Sequence, residues 1–388
     1  MSEPTDENRV VVEGGTVVTP DTALEGGRVV LDGDQILAVD APADSTDQPT
    51  GASRRVDATG QVVLPGLIDL HGDDVERYLY PRSGERVDTR MALAAADRLT
   101  MAAGVTTKFD AIAFEDAPEK NRSIEGASEL LETVAADEGL LADHRVHARC
   151  EVTDAASVAA VGDLADRPVV DVVSLMAHAP GRGQFADETD FASRYADGRG
   201  AATDEAARVG RERRDVTEAT VRERVADLAT DLASTDVLLA THDDGDPAAV
   251  DDAVDHGVEL CEYPVSLAAA RRATDRGAAT AMGAPNLVRG GSLWGNLDAR
   301  EAIDAGVVDL LCSDYRPQAL LASVFVDTGE PLERRVARVT SEPAAVAGLD
   351  DRGTLSPGAR ADLVVVDPDP VPTVSRAFVA GEEVYRCQ

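Results

Sequence analysis

Apolar positions along this chain follow two patterns. Between about residue 60 and residue 315, short runs of Val, Ile, Leu and Ala alternate with longer stretches whose apolar residues recur at helical spacing. The runs predict strands near 62–71, 104–112, 145–152, 169–178, 236–242, 258–263, 278–284 and 307–314. The intervening stretches predict helices near 89–103, 123–138, 246–256, 264–276 and 296–305. Strands apolar on both faces belong in parallel sheets covered by helices. Eight strand-then-helix units predict an α/β fold, a closed (β/α)8 barrel.

The two ends read differently. Short strands are expected at 9–12, 16–18, 27–31 and 35–39, with Gly14-Gly15, Gly26-Gly27 and Asp32-Gly33-Asp34 as turns. Further strands are expected at 361–367 and 376–379. One small composite β domain built from residues 1–61 and 340–388 would then flank a barrel over 62–339, with Pro65-Gly66 at the barrel's mouth of entry. The segment 186–235 is too long for an ordinary connection. Its part 203–233 reads as one exposed helix of mixed charge, more in keeping with a solvated insertion than with a lid or subunit contact.

Composition narrows the function. The chain carries 72 Asp and Glu against 37 Lys and Arg, a formal net charge of −35, and only Lys108 and Lys120 are lysines. Such a surface suits high salt, where screening relieves self-repulsion. It excludes nucleic-acid binding, which needs clustered positive charge. No apolar run approaches membrane-spanning length. The first eight residues lack the features of a signal peptide, so a cytoplasmic location is expected. Cys150, Cys261, Cys312 and Cys387 have no metal-type spacing and are expected as free thiols.

The ends of the predicted strands carry the chemistry. In a strand, residues i and i+2 share a face, so His71 and Asp73 project together from the first one. The third ends on Glu151, the fourth on His178, the fifth on His242, the sixth on Glu262 and the eighth on Asp314. In a (β/α)8 barrel these ends meet at one mouth. Imidazole and carboxylate are the ligands of Zn²⁺ and Mn²⁺. One or two divalent ions are therefore expected among His71, Asp73, Glu151, His178, His242 and Asp314. Glu262 is expected as a substrate contact, His147 as a structural residue, and His144 and His256 as solvated.

At this point the chain resembles the amidohydrolase superfamily, through its Pro65-Gly-x-x-Asp69-x-His71 strand, mid-barrel histidines and last-strand aspartate. Finer segments resemble the branch of α-D-ribose 1-methylphosphonate 5-triphosphate diphosphatases. These are Asp69–Arg77, Gly104–Asp110, Ser174–Gly181, Cys261–Pro264, Met282–Ser292 and Ser313–Pro317. The branch has His-x-Asp on its first strand, as here. Departures are Ala177 in place of the usual Asp, Arg182-Gly-Gln-Phe185, and Ser292-Leu-Trp-Gly-Asn296.

The resemblance implies a hydrolase that splits a sugar 5-triphosphate into the 5-phosphate and pyrophosphate, with Asp314 taking the proton of the attacking water. A triphosphate needs positive charge and backbone N–H groups. Arg289-Gly290-Gly291-Ser292 is the expected anion loop, joined by Asn286, Asn296, Lys108, Arg82 and Tyr315. A C–N hydrolase is the alternative, disfavoured because His-x-His and a mid-barrel lysine are missing. A non-catalytic relative is a second, disfavoured because every ligand position is filled. The small phosphorylated sugar is the expected partner, and a homo-oligomer is left open.

Overall fold

The computed structural model describes residues 9–41, 54–82, 84–136, 139–164, 167–185, 187–197 and 203–387. The chain termini, the end of the expected helix 123–138, and residues 186 and 198–202 of the long insertion lie outside the described residues.

Eight parallel strands form the barrel in chain order. They are β6 (Leu67–Gly72), β7 (Val105–Ala113), β8 (Asp143–Glu151), β9 (Val170–Met176), β10 (Leu238–His242), β11 (Leu260–Glu262), β12 (Ala279–Gly283) and β13 (Leu310–Cys312). A parallel bridge between Gly72 and Asp314 joins the last strand to the first. The Asp314 N–H donates to His71 O at 2.9 Å and the Asp73 N–H to Asp314 O at 2.7 Å. Ile68, Leu70, Phe109, Val172, Leu260 and Leu310 fill the interior, so the centre is packed and not a pore.

The second sheet runs β16-β15-β14-β5-β1-β2-β3, with β4 beside β1. Its strands are β1 (Arg9–Val18), β2 (Ala23–Asp32), β3 (Gln35–Asp40), β4 (Arg54–Asp57), β5 (Val62–Pro65), β14 (Leu363–Asp367), β15 (Thr373–Val379) and β16 (Glu382–Arg386). Val62, Leu64, Val364, Val366 and Val374 seal it against the barrel residues Leu67 and Val105.

Three expectations change. The stretch 62–71 is two strands: β5 pairs with β1 and β14 in the terminal sheet, and only β6 enters the barrel. The small sheet therefore reaches to Pro65. Gly66, between them, has no room for a side chain, since a Cβ would stand 2.1 Å from Thr106 Oγ1. Gly14-Gly15 is not a turn. Gly14, at φ +90°, forms a bulge that keeps β1 continuous past two register shifts. The stretch 203–233 is two helices, Thr203–Asp215 and Glu218–Leu232, because Thr217 caps the second through Thr220 N.

Other helices fall as expected, with side-chain caps. Asp88 caps Thr89–Ala102, Ser266 caps Leu267–Arg276 and Asp298 caps Ala299–Asp304. The four cysteines are free, three of them buried.

Candidate metal centre

Barrel geometry delivers side chains from six strands to one end. His71 ends β6, His147, Arg149 and Glu151 alternate along β8, His178 follows β9, His242 ends β10, Glu262 ends β11 and Asp314 follows β13. Three residues just past strand ends are forced into the left-handed region: Asp243 at φ 62°, Tyr263 at 52° and Asp314 at 54°. Non-glycine residues rarely sit there, and such strain gathers at functional sites.

Among the described residues, two groups have donors close enough to hold a cation. One is His71, His242 and Glu262, the other His178, His242 and Asp243, with ligand atoms within 4.8 Å of one another in each. Glu262 Oε1 lies 3.0 Å from His71 Nδ1. Glu262 Oε2 lies 3.7 Å from His147 Nε2 and 3.6 Å from His242 Nδ1. These last three atoms are buried and make no hydrogen bond. Leaving a buried polar atom unsatisfied costs about 1–3 kcal/mol, and here two ring nitrogens flank one unsatisfied carboxylate oxygen. A cation held by His71, His242 and Glu262 would satisfy the Glu262 oxygen and the His242 nitrogen, so the residues fit a divalent metal.

Protonation agrees. Burial pushes His147 down to about 3, so its ring is neutral with a lone pair to give. Burial would raise the Glu262 carboxyl, but the neighbouring His71 ring holds it well below the carboxylate range. In the second group, His178 Nε2 and His242 Nε2 each lie 3.5 Å from Asp243 Oδ2. A neutral imidazole offers one lone pair and one N–H. A neutral His242, with its one lone pair, can therefore ligate in only one of the two groups at a time.

The expected ligands divide. His71, His178 and His242 enter these groups. Asp73 does not: Arg149 Nη1 holds its Oδ2 at 2.8 Å, with Arg122 at 3.9 Å from Oδ1. Glu151 is engaged by Arg213 at 3.0 Å and His178 Nδ1 at 3.1 Å. Burial would raise its carboxyl, yet Arg213 and His178 bring it down to about 2. Glu151 thus orients His178 as a charged acceptor. Asp314 stands at the cavity floor, where burial pushes its carboxyl up to about 7.

Glu262, expected as a substrate contact, stands in a group able to hold a cation, and His147, expected as structural, faces it with Nε2 3.7 Å from Oε2. The alternation His147-x-Arg149-x-Glu151 was the signal that all three face inward. His144 is buried, not solvated, with Nδ1 2.6 Å from Asp110 Oδ2 and Nε2 3.2 Å from Asp97 Oδ1.

Above the centre opens a cavity of about 790 Å³. Arg77, Lys120, Arg122, Arg149, Arg194 and Arg289 line it against four carboxylates, Asp73, Glu76, Asp243 and Asp314. Cations outnumber anions here, whereas over the chain acids outnumber bases by 72 to 37. The cavity is built for an anion. Its wall includes Arg194 and Tyr195 from the helix Glu188–Asp197, and Arg213, from Thr203–Asp215, reaches down to Glu115 at 2.8 Å as well as to Glu151. The insertion is therefore part of the site and not simply solvated.

Of the expected substrate residues, Arg289, Ser292, Asn286, Asn296 and Tyr315 line this cavity. Asn286 spends its side chain on the loop, donating to Leu297 O at 3.1 Å and accepting from Ala299 N at 3.1 Å. Gly290, at φ 82°, caps the helix Ala284–Arg289, and Gly291 carries the carbonyl that Arg289 holds. Lys108 is absent from the wall: it is 1% exposed, with Nζ 2.6 Å from Asp74 and 3.0 Å from Asp110. Arg82 is exposed and also off the wall.

Comparison with known proteins gives three results. The amidohydrolase family matches residues 298–377. The α-D-ribose 1-methylphosphonate 5-triphosphate diphosphatase of Escherichia coli (strain K12) is 34% identical over 322 residues, covering 80% of this chain and 84% of that protein. Among solved structures, a Xaa-Pro dipeptidase with bound methionine aligns at TM-score 0.65 and 16% identity, over 98% of this chain and 100% of that one. The dihydropyrimidinase of Brevibacillus agri aligns at 0.63 and 14%, over 97% and 95%. Both share the fold.

Proposed function

The chain belongs to the amidohydrolase superfamily, in the branch of the α-D-ribose 1-methylphosphonate 5-triphosphate diphosphatases, and we propose that it cleaves that triphosphate to the 5-phosphate and pyrophosphate. The observation that carries this reading is a cation-rich cavity, in an acidic chain, that ends on a histidine and carboxylate centre.

The reaction is displacement at phosphorus. Water oxygen forms a bond to the phosphorus that stays on the sugar. The bond to the bridging oxygen breaks, and pyrophosphate departs with its electrons. Asp314, at about 7, is matched to take the water's proton near neutral pH. Arg149 and Arg122, held by Asp73 and Glu76 at the cavity wall, fix N–H donors where the phosphates gather. A divalent ion, Zn²⁺ or Mn²⁺ by the donor set, would be held by His71, His242 and Glu262, with His147, His178 and Asp243 beside it, and would supply Lewis acidity toward water and a phosphoryl oxygen.

The terminal sheet, through Pro65 and from β14 onward, is read as a scaffold unit and the rest as the catalytic unit. The acidic surface supports a cytoplasm of high salt as the setting. Among the described residues no helix is long and apolar enough to cross a membrane.

The test is pyrophosphate release from the sugar triphosphate by metal-loaded protein, beside hydantoins and dihydroorotate. Turnover of a cyclic amide with no pyrophosphate release would sink the proposal in favour of C–N hydrolysis.

A further inference from the structure

Four guanidiniums around the cavity are neutralised in place. Arg149 pairs with Asp73, Arg122 with Glu76 and Glu115, Arg194 with Asp190, and Arg213 with Glu115 and Glu151. Arg77 and Arg289 differ. Among the described residues neither has a carboxylate within ion-pair distance, although the chain holds about two acids for each base. Both meet on Tyr315. Arg77 Nη1 donates to Tyr315 O at 2.9 Å and its guanidinium lies 5.3 Å from the ring centre. Arg289 Nη1 donates to the Tyr315 hydroxyl at 3.2 Å. The same Arg289 is braced by Gly291 O, at 3.1 Å from Nε and 2.6 Å from Nη2.

Every one of these acceptors is neutral. The carbonyls and the phenol fix the two guanidiniums in place without cancelling their charge. Two like charges on one tyrosine repel until an anion joins them, which is the signature of a preformed anion site. Tyr315 accepts from Arg289, so its own O–H remains as a further donor. The three residues come from the chain after β6, β12 and β13, all at the barrel's catalytic end. Tyr315 follows Asp314, which places the clamp one residue from the reacting centre.

We propose that Arg77, Tyr315 and Arg289 form a clamp for the diphosphate that leaves, the two phosphates beyond the bond that breaks. This rests on the diphosphatase reading and adds which groups hold which part of the substrate. Two guanidiniums and a phenol match a group with several charged oxygens, whereas the sugar offers only hydroxyls to that end. Of the substrate's other anionic groups, the phosphate that stays on the sugar sits at the reacting centre, and the phosphonate lies at the far end of the sugar, so the experiment separates the phosphonate from the diphosphate.

Binding of inorganic pyrophosphate, and separately of methylphosphonate, to the metal-loaded enzyme is read by quenching of Trp294, the chain's single tryptophan, which lines the same cavity. Arg77→Ala and Arg289→Ala should each weaken pyrophosphate by roughly 10- to 100-fold, the loss expected for a charge-assisted hydrogen bond. Methylphosphonate affinity, metal content and melting temperature should hold. Arg→Lys at either position should recover only part, because a lysine cannot offer a fork. Both variants sit on exposed side chains, so folding is not at stake. Unchanged pyrophosphate affinity, with wild type still releasing pyrophosphate, overturns the clamp alone. A loss confined to methylphosphonate overturns it by reversing the substrate. Wild type that binds neither anion and releases no pyrophosphate overturns the underlying reading and the clamp together.

Discussion

His147 Nε2 and Glu262 Oε2 lie 3.7 Å apart in the barrel and neither makes a hydrogen bond. An imidazole with a free lone pair facing an unpaired carboxylate oxygen repels it, and both are out of reach of solvent. The arrangement is stable only with a positive charge between them.

His242 serves both cation groups, so His242→Ala should strip bound metal and lower activity by orders of magnitude, because a lost ligand destroys site geometry. His147→Gln, which leaves His71, His242 and Glu262 in place, should weaken metal affinity by about 10- to 100-fold. Metal analysis of the purified variants decides it: full occupancy in His242→Ala would refute the assignment.

Arg213 ties the insertion to two carboxylates of the barrel mouth. Arg213→Ala leaves Glu151 short of its main cation. The expected cost is at or below the roughly 3–5 kcal/mol of a broken buried pair, since Lys120 and Arg122 still serve Glu115. Backbone amides of the helix Thr203–Asp215 should exchange faster in the variant, with metal still bound. An unchanged exchange pattern would return the insertion to a solvated appendage.

His144 gives a pH signature. Burial lowers it, but the Asp110 carboxylate outweighs that and brings it to about 9, above its ordinary 6.5. A raised histidine contributes stability that is full below about 6.5 and lost as pH climbs through about 9. Unfolding free energy in concentrated salt should therefore fall across that window by on the order of 1–3 kcal/mol. His144→Asn should flatten the curve. Parallel curves for the two proteins would show that the histidine is neutral.

With a net charge of −35, removing salt unscreens repulsion among carboxylates. The melting temperature should drop steadily from molar salt to tens of millimolar. A flat profile would argue against adaptation to high salt.

The barrel was legible because its strands, covered on both faces, are nearly continuous apolar runs. Seven of the eight fell within three residues of their observed bounds, and the first ran on into β5. What misled was pairing. Nothing local to Val62–Pro65 says that its partners are β1 and β14. At the site, single residues at strand ends could be picked out, yet their contacts depend on neighbours far along the chain. Asp73, read as a ligand from its place on the strand, is paired with Arg149, a partner 76 positions on that nothing nearby announces. Lys108 looked available until Asp74 and Asp110 enclosed it. His147 and Glu262, 115 positions apart in sequence, acquire meaning only when β8 and β11 face each other.

The single residue between β5 and β6 has a consequence for how the molecule is made. β5 takes one neighbour from the start of the chain and the other, β14, from near its end. During synthesis β5 leads the chain into the barrel with one of its own edges bare, offering unpaired backbone groups to any passing chain. That edge is covered only when β14 leaves the ribosome, followed by β15 and β16. The hazard of premature association therefore lasts for nearly the whole of translation, and it is the last-made hairpin, remote from the chemistry, that ends it.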